Sequence, residues 1–104
     1  MAVLTPTIVQ QQIGTPVYGV SGTPKRIETY FIQVTKAAQN DTIEMDTTLG
    51  SEYTTDKIIG LDGITIPGSG DTVQEAPTVD DSDDEIVLPS ATTGTTWVTV
   101  TYGL

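Results

Sequence analysis

The sequence predicts an all-β fold: a single small β-sandwich or barrel-like domain with an extended N-terminal arm. Three features carry that expectation. Short apolar stretches alternate at period two, Gly and Pro turns separate them, and threonine fills about a fifth of the 104 positions. Alternation puts successive side chains on opposite sides of a strand, so one side can be buried while the other stays wet. Threonine's branched Cβ suits that pleated surface. The length fits one domain. With 37% apolar residues, 6% aromatic and one tryptophan, the core must be thin. Small cores are commonly supplemented by disulfides, metals or association. The chain has no cysteine, which excludes disulfides and leaves the redox compartment open.

Along the chain, charge is distributed unevenly. Residues 1–24 carry no charged side chain, and all eighteen charges fall in residues 25–104. The leader holds Pro6, Pro16 and Pro24 with Gly14, Gly19 and Gly22, among apolar residues such as Val3, Leu4 and Val9. It is too punctuated for a helix and too apolar for a solvated tail. We expect residues 1–24 to form an extended arm lying along a partner or along its own body, ahead of a β-rich domain over 25–104. Ile8, Ile13, Val17 and Tyr18 are its expected interface anchors.

Residues 27–36 alternate Tyr30, Ile32 and Val34 against Thr29, Gln33 and Thr35, which predicts a half-buried strand; Phe31 on the other side suggests that both faces are partly covered. Lys36 to Asp41 reads as a connection, with Asn40-Asp41 suited to a turn. Residues 42–46 read as a short strand with Ile43 and Met45 opposite Glu44 and Asp46. Gly50 and Ser51 mark a turn. Residues 57–66 are apolar around Asp62-Gly63, which predicts either a tight hairpin or a bulge. Residues 67–71 are loop by composition, and 72–84 are largely polar. Residues 85–88 form a brief strand stopped by Pro89. After a turn through Ala91-Thr92-Thr93-Gly94, residues 95–102 form the clearest strand, Trp97, Thr99 and Thr101 alternating with Val98, Val100 and Tyr102.

The composition argues against catalysis. There is no histidine, the commonest general base and transition-metal ligand. Net charge is −10 with a pI near 4.1, which repels phosphate backbones and anionic lipid, so neither nucleic acid nor membrane is an expected partner. No stretch nears the roughly 20 apolar residues of a membrane-spanning helix, and the N-terminus lacks a basic leader. The chain reads as soluble and made in the cytoplasm. The run Asp80-Asp81-Ser82-Asp83-Asp84-Glu85 invites calcium, but counting from Asp80 the EF-hand loop fails. Its sixth position is Glu85 instead of glycine and its twelfth is Ala91 instead of glutamate. The run reads as a solvated acidic loop and a weak contact candidate. Gly68-Ser69-Gly70 lacks the lysine of a phosphate cradle and precedes Asp71. Asn40-Asp41-Thr42 fits a glycosylation sequon yet reads more simply as a turn. Glu44 and Asp46 point to water, without the apolar setting an acid–base pair requires. Trp97 with Tyr30, Tyr53 and Tyr102 reads as a sugar-binding platform or, more simply, Trp97 is the largest core residue. No enzyme, cofactor or metal is expected.

The segments Val34-Thr35-Lys36-Ala37-Ala38-Gln39-Asn40-Asp41-Thr42-Ile43, Ile59-Gly60-Leu61-Asp62-Gly63 and Ala91-Thr92-Thr93-Gly94 resemble small head proteins of tailed bacteriophages. That resemblance implies a compact β protein that decorates or cements the capsid from its outer surface. It would contact the major capsid protein and neighbouring copies, often as a trimer. A tail or connector component, and a carbohydrate-binding β-sandwich module on a virion or cell surface, are the alternative expectations.

Overall fold

The structure is a computed structural model. It describes residues 2–14, 17–18 and 24–104, with backbone alone at 17, 18, 24 and 25. The strands are β1 (Val3–Leu4), β2 (Thr7–Ile13), β3 (Val17–Tyr18), β4 (Pro24–Lys25), β5 (Ile27–Lys36), β6 (Asp41–Ile43), β7 (Ile58–Ile66), β8 (Val73–Gln74), β9 (Thr78–Asp80), β10 (Glu85–Leu88) and β11 (Gly94–Gly103). One short helix, α1 (Met45–Leu49), and a 3₁₀ turn at Thr55–Lys57 lie between β6 and β7. Two sheets pack face to face, ordered β1-β6-β10-β9 and β2-β5-β11-β7-β8, and β3 pairs with β4 apart from them. This is an all-β sandwich.

Its spine is the antiparallel pair β5 and β11, in unbroken register from Lys36 opposite Gly94 to Ile27 opposite Gly103. Alternation selects what each strand buries. Tyr30, Ile32 and Val34 face inward from β5, and Val98, Val100 and Tyr102 face inward from β11. Ile43, Ile86 and Leu88 meet them from the other sheet, with Met45 from α1 closing the core. Each fully buried aliphatic side chain is worth roughly 1.5–3 kcal/mol, and polar side chains close this small core at both ends.

The inward row of β5 begins at Glu28 and ends at Lys36, both about 1% exposed. At one end the Lys36 ammonium donates to Glu75 Oε1 at 2.7 Å and to the Ser90 hydroxyl at 2.9 Å. Glu75 also accepts from the Thr65 hydroxyl at 2.6 Å and the Ser90 N–H at 2.9 Å. At the other end Glu28 accepts from the Tyr30 hydroxyl, from the Tyr53 hydroxyl at 2.7 Å and from Arg26. Every buried side-chain polar atom among the described residues has a partner, as burial demands.

The uncharged leader lies along its own body from Val3 to Ile13. β1 pairs in parallel with β6 of one sheet, and β2 pairs antiparallel with β5 of the other. Asp41, fully buried, locks this entry by accepting the N–H groups of Ala2, Ala37 and Ala38 at 2.8–2.9 Å.

Three local expectations are corrected. Asp62-Gly63 makes no hairpin: β7 runs straight through it, and its irregularity falls at Ile59, opposite the Thr101–Tyr102 step. Glycine at 63 serves close packing instead. A Cβ there would stand 3.2 Å from both Pro77 Cγ and the Trp97 carbonyl, where the chain crosses from one sheet to the other. The strand expected over 42–46 ends at Ile43, and Met45–Leu49 coil into a helical turn ended by Gly50 at φ 135°. Trp97, finally, is not a core residue. It belongs to the outward row of β11, while Thr96 and Val98 beside it point inward.

Candidate functional site

The outward rows of the five-stranded sheet assemble a surface by register alone. Gln33 stands opposite Trp97, and Trp97 opposite Ile64. Phe31 is opposite Thr99 and next to Gln10, Thr35 faces Thr95, and Thr95 faces Ile66. Thr29 and Thr101 share a hydroxyl hydrogen bond of 3.0 Å. Ile64 and Ile66 remain 40% and 43% exposed, and Phe31 and Trp97 are half-buried. Within these outward rows Asp62 is the sole charged side chain. On a body of net charge −10 this is a neutral plateau with two aromatics at its middle. Its four longer strands, about 4.8 Å apart and up to roughly 30 Å long, offer on the order of 600 Å². A specific interface takes about 800 Å² from each partner, so the plateau approaches one such contact.

The charge has gone elsewhere. Asp80, Asp81, Asp83, Asp84 and Glu85 gather at the β9–β10 turn, and Glu44 stands near enough to Glu85 to act on its charge. Loss of hydration, followed by the neighbouring Glu44 and Asp83 charges, pushes the Glu85 carboxyl up. The Ser82 hydroxyl instead holds Asp80 below its ordinary value. Asp80, Asp83 and Glu85 could bring carboxylate oxygens within 4.8 Å of one another. Local donors already serve two of them: Asp80 accepts from the Ser82 N–H and hydroxyl, and Glu85 from Thr42. The acidic run is thus a turn tied to its own strands, and it also holds Thr55 through Asp81 and Asp84.

No family model matches this chain, and no curated protein or solved structure matches it.

Ile8 and Ile13, the anchors of the expected arm whose side chains are described, do not join the outward row: both stand on β2 opposite Ile32 and Glu28 of the inward row of β5. Ile8 packs against the core, with the inward row of β2 facing Ile32. Ile13 lies at the far end of β2, 57% exposed. Val17 and Tyr18 pair by backbone with Lys25 and Pro24, and their side chains lie outside the described residues. The four-aromatic platform does not form either. Tyr30, Tyr53 and Tyr102 stack edge to face inside, with centroids 5.2–6.2 Å apart, on the opposite side of the sheet from Trp97. A cleft of about 240 Å³ beside Trp97 is lined instead by Asp62, Ile64 and Thr99. Glu44 and Asp46 share no strand face: Glu44 precedes α1 and Asp46 lies within it. Gly68-Ser69-Gly70 is an exposed turn.

Sequence reasoning did not group Phe31, Ile64 and Ile66 with Trp97. The signal was present in Phe31, which broke the alternation, and in the isoleucines that flank Asp62-Gly63. Seeing that they share a face with Trp97 required knowing that β7 pairs with β11.

Among the described residues no helix is long and apolar enough to cross a membrane.

Proposed function

We propose that this protein is a structural subunit of a virion, a capsid decoration or cement protein that binds the major capsid protein and neighbouring copies on the outer surface of the head. The observation that carries this reading is the neutral plateau around Phe31, Trp97, Ile64 and Ile66 on an otherwise strongly acidic sandwich. Interface centres are depleted in charge and enriched in aromatics, while the acidic remainder keeps the particle surface hydrated and self-repelling. Three copies around a three-fold axis, each docked by its plateau, would combine modest single contacts into a durable one. A phage tail or connector part would use the same surface in the same way.

Co-sedimentation with assembled shells of the major capsid protein tests the proposal. Saturable binding should survive 0.5 M salt, because the plateau carries a single charge, Asp62, and Trp97→Asp should weaken it by about 2 kcal/mol, some thirtyfold. Binding that Trp97→Asp leaves intact, with the variant folded by circular dichroism, would refute the role of this face. The cleft beside Trp97 favours one second reading, a carbohydrate-binding module, since an indole face with an adjacent carboxylate suits a sugar. Glycan binding that disappears in Trp97→Ala, with no affinity for shells, would select it.

A further inference from the structure

Apart from the plateau, the sandwich has an open side. β8 pairs with β7 only at Ile64 and Thr65, so among the described residues the first half of β7 has no neighbour beyond β11. β9 likewise pairs only with β10. Between these two open edges runs a groove of about 330 Å³, lined by Ile58, Ile59, Leu61, Pro77 and Val79 together with Thr55 and Thr78. Pro77 closes one end over Gly63. Ile59 and Val79 stand 63% and 42% exposed at its lips.

An unpaired strand edge beside a trough of mixed aliphatic and threonine lining is chemically specific. Its free N–H and C=O groups accept an extended backbone, and the trough accepts every second side chain. Charge then selects among extended segments. The end opposite Pro77 is formed by Thr55, whose hydroxyl is held by Asp81 at 2.7 Å and Asp84 at 3.2 Å, with Asp56 and Asp80 adjoining in sequence. Lys57 is the lone nearby cation in sequence. An acidic or second acidic body is disfavoured there, and a basic residue is drawn in. We propose that this groove binds an extended segment of another protein, apolar at alternate residues and carrying lysine or arginine at the end that meets Asp80–Asp84, by adding it as a strand to the open half of β7.

The test uses the full chain and a synthetic probe: an acetylated octapeptide of two lysines followed by alternating threonine and valine. In ¹⁵N–¹H spectra the peptide should shift amides at residues 58–61 and 78–79, leaving those around Phe31 and Trp97 in place. Replacing the two lysines with glutamates should weaken binding at least tenfold at low salt, as should Ile59→Lys, a change at an exposed position that leaves the core intact. N-methylation of the valine amides should abolish binding, because strand addition requires them. Silence at these amides with millimolar peptide, or equal binding by the glutamate or N-methylated peptide, would overturn the proposal. Concentration-dependent shifts at the same amides without peptide would assign the groove to a second copy and overturn it as well.

Discussion

Replacing Lys36 with methionine should remove much of the stability of this domain, and the structure sets the scale. Both members of the Lys36–Glu75 pair have side chains with no solvent exposure. Losing the ammonium leaves a carboxylate in the interior, and breaking a buried pair from one side typically costs about 3–5 kcal/mol. Glu75 keeps three donors, the Thr65 hydroxyl and the Ser90 N–H and hydroxyl. These hold the expected loss toward about 3 kcal/mol, or some 12–20 °C in Tm for a domain of this size. Removing both charges in Lys36→Met/Glu75→Leu should cost less than Lys36→Met alone, because no orphaned ion remains. The pH dependence separates this account from simple loss of packing. Burial acts to raise Glu75, but Lys36 and the hydroxyl donors outweigh it and hold the carboxyl below its ordinary value. Without Lys36 the largest opponent of burial is gone, so the carboxyl binds protons more readily in the folded variant than in the folded parent. The deficit of the variant should then shrink as pH falls through the acidic range. Urea titrations followed by far-UV circular dichroism measure all three. A loss under about 1 kcal/mol for Lys36→Met, or a deficit independent of pH, would refute the reasoning.

Other perturbations follow from the same structure. Glu28, Asp41 and Glu75 are all held below their ordinary values, burial opposing in each case and hydrogen bonds prevailing. Their contribution is complete above the unfolded values near 4 and is lost as pH drops through the lower folded ones, so the urea midpoint should decline steadily below about pH 4. Glu85, pushed up, works in the opposite sense and only softens that decline. Gly94→Ala should destabilise by about 3 kcal/mol or more, since φ is 142° and a Cβ would lie 2.4 Å from the Ile66 carbonyl, whereas Gly68→Ala, with open space around it, should stay within about 0.5 kcal/mol. Tyr53→Phe removes one donor from the Glu28 carboxylate and should cost about 2 kcal/mol by thermal denaturation.

The class of fold and its spine were legible because they rest on local periodicity. Tyr30, Ile32 and Val34 alternate in the text as they do in space, and so do Val98, Val100 and Tyr102. What escaped was what depends on pairing at long range. Glu75 sits in a polar stretch that reads as loop, and nothing nearby in sequence marks it as the buried partner of Lys36, 39 residues away. Asp62-Gly63 carries the signature of a tight turn, yet the crossing of Pro77 over Gly63 and the pull of β11 along the whole of β7 override it. Trp97 was legible as a strand residue but not as an outward one, because its size suggested a core and only register places it beside Ile64 and Gln33.

The thin core also bears on why the leader is uncharged. A strand laid on the edge of β5 must sit beside the inward row that starts at Glu28, a carboxylate already satisfied by two tyrosines and Arg26. A second acid on β2 would face that ion at the cross-strand distance of about 5 Å, where like charges repel and water is partly excluded. A lysine there would compete with Arg26 and loosen the tyrosine cluster. Glutamine, threonine and isoleucine do neither, and they leave the outward row of β2 continuous with the neutral plateau of β5 and β11. The same absence of charge that lets the first strands join the two sheets therefore extends the surface through which, on the reading proposed here, the molecule meets its neighbours.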